Sequence, residues 1–228
     1  MKTLVTIFLV LFAITAIAQC GQSITDTRNG KIYPTVQIGM QCWMAKNLNV
    51  GYMEAGNVPA SNNKNLKGTQ VFEKYCYGNM DSVCNIYGGL YQWDEAMQYS
   101  LVPGAQGICM TGWHVPTYEE YYVMLDFLGG IAVAGEKMKA ISPLWKISGY
   151  KATNSSGFTA LPGGIRWDNS AFYNLGLDFN MWLSSMPPPD SRNPSQPAYS
   201  GGCSWGQESA TNTQFYKNEG LSVRCIKN

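Results

Sequence analysis

Histidine is nearly absent from this chain: among 228 residues there is only His114. One imidazole is too few for most mixed zinc sites, and no closely spaced cysteine pair is matched by another. Net charge is missing as well, with 16 basic residues against 15 acidic ones. Nucleic acid and anionic membranes call for a basic surplus, so neither is expected as a partner. Beyond the N-terminus no apolar run approaches the roughly 20 residues of a membrane-spanning helix. There is no internal repeat, no heptad and no obvious second domain boundary, and no cofactor is implied.

What is present begins with Lys2, followed by apolar residues from Leu4 to Ile17 and the small-residue pattern Ala16-Ile17-Ala18. This reads as a cleaved signal peptide over residues 1–18, leaving one exported domain over residues 19–228. A rival reading lipidates Cys20, but Gln19 stands where lipoprotein signals favour a small residue. With Lys2 removed, basic residues equal the 15 acidic ones. The remaining chain is long enough for a real core.

Seven cysteines in an exported chain read as bridges before metal ligands. Cys76 and Cys84 enclose the short polar loop "YGNMDSV", Cys20 and Cys42 flank a candidate hairpin, and Cys109 with Cys225 would clip the middle of the chain to its end. Cys203 is then left over. Sequence alone proves none of these pairings.

"TDTRNGKIYPTVQIG" carries an Asn29-Gly30 turn, then alternation that sets Ile32, Pro34, Val36 and Ile38 on one side against Tyr33, Thr35 and Gln37. A further strand is expected in "MQCWMAKNLNVG" and a polar loop from Tyr52 to Thr69. Leu90, Trp93 and Met97 recur at helical spacing. Thr117 and Glu120 have capping-box spacing, Tyr121, Leu125 and Leu128 fall on one face, and Gly129-Gly130 stops that helix. A second helix is expected from Val133 to Ile141, weakened by Gly135. After Trp145, the runs "GFTALPGG", "MWLSS" and "LSVRCI" suggest strands between long loops.

His114 as a general base would need a nucleophile in reach and a group to set its tautomer, and no partner motif supplies either. It reads instead as a packing residue beside Trp113 at the helix entry. Glu119 and Glu120 are adjacent, so on a helix they diverge by about 100° and cannot flank one substrate. Asp168 and Asn169 suit a turn better than a calcium site, which wants six or more oxygens. "PGGIRW" lacks the lysine and helix start of a phosphate loop.

The final third carries the candidate contact surface. Trp167, Tyr173, Tyr199, Trp205 and Tyr216 are interleaved with Asp168, Asn169, Ser184, Ser185, Arg192 and Gln207. Flat rings beside polar groups can stack on sugars or act as protein hot spots. Trp182, inside "MWLSS", reads as core, and "PPPDSRNPSQP" as a stiff surface excursion.

Taken in order, "DTRNGKIYPTVQIGMQCWMAKNLNVG", "CYGNMDSVCNIYGGLYQWDEAM", "GICMTGWHVPTYEEYYVMLDFLGG", "VAGEKMK", "GFTALPGGIRW" and "GLSVRCIKN" resemble the Fibrobacter succinogenes major paralogous domain, over residues 24–228. The resemblance implies an α+β, C-type-lectin-like fold, related to the sulfatase-modifying-factor superfamily. A few helices would pack on short twisted antiparallel sheets, with long C-terminal loops. It implies a secreted or cell-surface bacterial module, generally without assigned activity. In some relatives the C-terminal segment is diversified, which would make it a ligand-binding face for a glycan or surface protein. This chain departs from the family there, with "MWLSSM" and "PAYSGGCSW" around an inserted proline tract. The superfamily also includes a copper-dependent oxidase that relies on a close cysteine pair near its C-terminus. Cys203 and Cys225 do not form such a pair, so a non-catalytic binding module is expected, with an oxidoreductase or a structural envelope component as alternatives.

Overall fold

The computed structural model describes residues 20–57, 72–146, 152–190 and 196–228. The expected signal peptide and Arg192 lie outside them. The first turn is built by Asp26, whose carbonyl accepts from Gly30 N at 2.7 Å while its own N–H donates to Lys31 O at 2.8 Å. Gly30 takes φ +72, a left-handed value glycine adopts without strain. That turn closes β1 (Ile24–Thr25) on β2 (Ile32–Tyr33).

The expected alternation does not run through this segment. Ile32 is 60 % exposed, whereas Tyr33 is 1 % exposed and belongs to the core. Pro34 has no N–H to give a ladder and separates β2 from β3 (Thr35–Ile38). Tyr33 and Thr35 on either side of it are buried, the Tyr33 hydroxyl reaching inward to accept from Asn49 N at 2.9 Å, and the phase changes only within β3, where Ile38 turns inward.

β3 pairs with β4 (Gln41–Met44). The sheet is completed by β7 (Trp113–His114) and β13 (Ile226–Lys227), in the order β3-β4-β13-β7. The last strand thus lies between an early strand and a middle one. Three disulfides, Cys20–Cys42, Cys76–Cys84 and Cys109–Cys225, match the expected pairings and leave Cys203 free and buried. The Cys109–Cys225 link spans 116 residues, and closing so long a loop removes about 4–5 kcal/mol of unfolded-chain entropy in the loop-closure model.

Between these strands run a parallel pair, β5 (Tyr52–Glu54) with β6 (Glu73–Tyr75), then α1 (Asp81–Tyr87) and α2 (Trp93–Ala96). The helix expected at Leu90–Met97 is only this four-residue turn, because Leu90 and Tyr91 are extended and bridge to Tyr75 and Leu221. α3 (Tyr118–Phe127) starts at the expected capping box: Glu120 N donates to Thr117 Oγ1 at 3.1 Å and Thr117 N donates to Glu120 Oε2 at 2.8 Å. Tyr121, Leu125 and Leu128 are buried as its spacing requires.

α4 (Ile131–Met138) begins two residues earlier than expected and ends before Ile141, which is 75 % exposed. Gly135 serves a purpose there. A side chain at that position would meet the Ser209 carbonyl at 2.1 Å, so the missing Cβ lets a strand turn lie directly on the helix.

The final third holds β8 (Ile165–Arg166), β9 (Phe172–Tyr173), β10 (Asp178–Trp182), β11 (Pro197–Ser204) and β12 (Ala210–Tyr216). Its centre is therefore an antiparallel β10-β11-β12 sheet holding the longest strands of the described residues, rather than long loops alone. "GFTALPGG" contributes only an isolated bridge at Ala160, and "LSVRCI" only bridges and Ile226. α3 and α4 cover one face of this sheet, where Gly201 abuts the Tyr121 ring. The architecture is α+β, with few helices on several small, mainly antiparallel sheets.

The core runs through both sides of that frame. Trp43, Trp93 and Trp182 are fully buried, Trp182 as expected, and the indole N–H groups of Trp93 and Trp182 donate to the Leu183 and Tyr91 carbonyls. Arg224 is buried as well, its guanidinium over Phe158 at 4.2 Å and Phe179 at 5.0 Å. It donates to Asn47 Oδ1, Phe158 O and Thr159 O, so its fork is matched by oxygens from distant segments.

Candidate functional site: the β8–β9 tip

Trp167 leaves β8 exposed, and its carbonyl accepts from Ser170 N at 3.0 Å to form a tight turn. Ser170 sits at φ +68. Asn169 fixes the turn from within: its Oδ1 accepts from Ala171 N at 3.0 Å and its Nδ2 donates to the Tyr173 hydroxyl at 3.1 Å. The Trp167 and Tyr173 rings lie 5.1 Å apart, tilted by 50°. They are 43 % and 39 % exposed, so the pair presents ring surface to solvent beside the exposed Asp168.

This tip rests on a buried arginine. Arg166 lies over the Tyr75 ring at 4.1 Å and donates to Gly56 O, Asn218 O and Ser170 Oγ. Its backbone exchanges two bonds with Gly220, at 3.0 and 2.7 Å. The turn after β12 is thereby drawn beside the tip. That turn is anchored in turn by Trp93 N and Gln92 Nε2, which donate to the Lys217 and Asn218 carbonyls, and by Lys217 Nζ over the Trp93 ring at 4.3 Å. Tyr216, 44 % exposed, opens this turn, and its N–H donates to buried Glu219 at 2.9 Å. Burial, and the charge of Asp168, push the Glu219 carboxyl up to about 7, against the Tyr216 bond that lowers it.

Trp167, Asp168, Asn169, Tyr173 and Tyr216 are thus collected on one rim. The other expected contact residues are not. Ser184 and Ser185 face inward: Ser184 Oγ accepts from Gly104 N and donates to Pro116 O, and Ser185 Oγ accepts from Tyr118 N. At 0 % and 7 % exposed they tie the end of β10 to the entry of α3, which corrects their reading as ligand contacts. Tyr199 is half-buried, with its ring 4.5 Å from that of Tyr118. Trp205 and Gln207 are exposed, but in the β11–β12 turn. The ladder runs from Pro197 opposite Tyr216 to Cys203 opposite Ala210, so Trp205 and Tyr216 lie roughly 20 Å apart along the strands. One small ligand cannot span both.

His114 is held on both sides, Nε2 to Glu120 at 2.9 Å and Nδ1 to Asn228 Oδ1 at 2.7 Å. It serves as a brace between β7, α3 and the chain end. Cys203 is sealed, and burial pushes its thiol up to about 12, so it is not a ready nucleophile. No group of three metal-ligating side chains occurs among the described residues, and no described helix is long and apolar enough to cross a membrane. A cavity of about 460 Å³ lies elsewhere, near Arg28, Phe72 and Gln106. Its charges are already engaged, since Arg28 holds Asp26 at 2.7 Å and donates to Ile108 O.

Arg166 and Glu219 carried no signal in the sequence, because only the tertiary arrangement brings them beside the tip.

These features define a disulfide-bridged α+β domain whose exposed aromatic groups sit on a rigid, cross-linked frame. The Fibrobacter succinogenes major domain model matches residues 36–227, and the chain belongs to that family. Neither a curated protein nor a solved structure matches it.

Proposed function

We propose that this chain is an exported, non-catalytic binding or adhesion module that presents the β8–β9 tip to a glycan or surface protein. The carrying observation is the Trp167–Tyr173 pair, exposed yet fixed by Asn169 and by the buried Arg166 beneath it. Preset rings lose little conformational freedom on contact, and aromatic residues dominate binding hot spots. Three disulfides and the N-terminal signal pattern support export, in keeping with a secreted or cell-surface location. The helices packed on small sheets accord with the C-type-lectin-like reading of the sequence. The sealed Cys203 and the doubly engaged His114 favour binding over the oxidoreductase alternative.

The test is an array of glycans and surface proteins probed with residues 19–228, with and without calcium. A specific signal that Trp167→Ala and Tyr173→Ala remove, at nearly unchanged melting temperature, supports the reading. Binding that survives both substitutions contradicts it.

A further inference from the structure

Where the segment after β4 meets β6, a buried amine is pressed against a buried carboxamide. Lys74 and Asn49 are 4 % and 3 % exposed, and Lys74 Nζ stands 2.5 Å from Asn49 Oδ1. With a carbonyl bond of about 1.2 Å, that nitrogen lies no more than about 3.7 Å from the amide carbon, close to the separation of reacting pairs. Asn49 is fixed there. Its Nδ2 donates to Cys84 O at 2.9 Å, its backbone N–H donates to the Tyr33 hydroxyl at 2.9 Å, and its carbonyl accepts from Asn29 Nδ2 at 3.0 Å. Cys84 is bridged in turn to Cys76, two residues beyond Lys74.

A carboxylate completes the group: Asp81 Oδ1, at the start of α1, is 3.7 Å from Lys74 Nζ. Burial lowers the Lys74 pKa, against the Asp81 charge and bond that raise it. Lys31 Nζ reaches the same corner, 3.4 Å from Asn85 Oδ1, and its pKa is lowered by burial and then by the Lys74 charge. Two amines beside one carboxylate favour a neutral amine, the form that attacks a carbonyl.

We infer that Lys74 and Asn49 form a covalent cross-link, an isopeptide bond in which Lys74 Nζ replaces Asn49 Nδ2, with Asp81 carrying the proton. Neutral Nζ attacks Cγ and the new C–N bond forms. Asp81 takes a proton from Nζ and returns it to Nδ2, which leaves as ammonia when the old C–N bond breaks. Nothing is oxidised or reduced, and no co-reactant is consumed. The link joins residues 25 apart in the chain, across the polar loop between them, with a tie that reductants do not open. It does not depend on what the β8–β9 tip binds.

The test is tryptic mass spectrometry of the exported protein, residues 19–228, after reduction and denaturation. Intact mass alone does not decide, because Gln19 as a new N-terminus also cyclises with loss of ammonia. The expected result is a peptide pair joined through Asn49 and Lys74, lighter than its two parts by one ammonia, with no cleavage after Lys74. Lys74→Arg should lack the pair. Asp81→Ala changes a side chain that is 61 % exposed, so it should fold, and its linked fraction should fall about tenfold or more. Unlinked Asn49 and Lys74 peptides throughout the parent protein overturn the inference. So does a linked fraction that is undiminished in Asp81→Ala.

Discussion

His114 Nε2 and Glu120 Oε1 stand 2.9 Å apart across the entry of α3. The other ring nitrogen faces Asn228 Oδ1, so both nitrogens meet acceptors and the imidazolium is the form that satisfies them. The bond to Glu120 raises the His114 pKa, against a burial that lowers it. Glu120 is shifted the other way: burial would raise it, but the His114 and Thr117 bonds bring it below its ordinary value.

The pH dependence of stability follows. A raised histidine pKa gives stability that is complete below the unfolded value of about 6.5 and is lost as pH rises through the folded value. A depressed glutamate pKa gives stability that is lost as pH falls through its folded value. His114→Gln should therefore destabilise most near about pH 5–6, by roughly 1–2 kcal/mol, with the gap narrowing on either side. Urea unfolding of both proteins across pH checks this; a gap that widens above pH 8 would contradict it.

Cys203 supplies a chemical prediction. Its thiol is buried and held protonated by desolvation, so iodoacetamide at about pH 8 should leave the folded protein unlabelled. Denaturation without reductant should expose one reactive thiol per chain, because the other six cysteines are paired. Mass spectrometry of the alkylated protein reads both numbers.

Gly135→Ala tests the contact between α4 and the β11–β12 turn. In an exposed helix this change stabilises by roughly 1 kcal/mol. Here the new methyl would enter the Ser209 carbonyl, and we expect a loss of about 2–3 kcal/mol by chemical denaturation. A gain would show that the turn moves aside without cost.

The legible parts of the fold were those governed by local rules. Thr117 and Glu120 form a capping box because the motif is complete within one turn, and Cys76–Cys84 closes a short loop, whereas Cys109–Cys225, 116 residues apart, could only be suggested. The strand phase at Ile32–Tyr33 was illegible because a distant backbone N–H, that of Asn49, draws the Tyr33 hydroxyl inward. The site divided in the same way. Trp167, Asp168, Asn169 and Tyr173 lie within seven residues of one another, so a single hairpin brings them together. Ser184 and Ser185 were expected among the polar contact residues, yet they are spent on the Gly104, Pro116 and Tyr118 backbone. Trp205 is separated from the rim by the long β11–β12 ladder, whose register no local pattern announces, and Tyr199, opposite Gln214, packs its ring on Tyr118.

The most direct measurement is calorimetric titration of a ligand recovered from the array into wild-type protein and into Trp167→Ala/Tyr173→Ala. The dissociation constant should rise by about thirtyfold or more, as for removal of a hot spot of about 2 kcal/mol, while the melting temperatures agree within a few degrees. An unchanged dissociation constant, or a collapse of stability showing that these rings hold the core together, would contradict it.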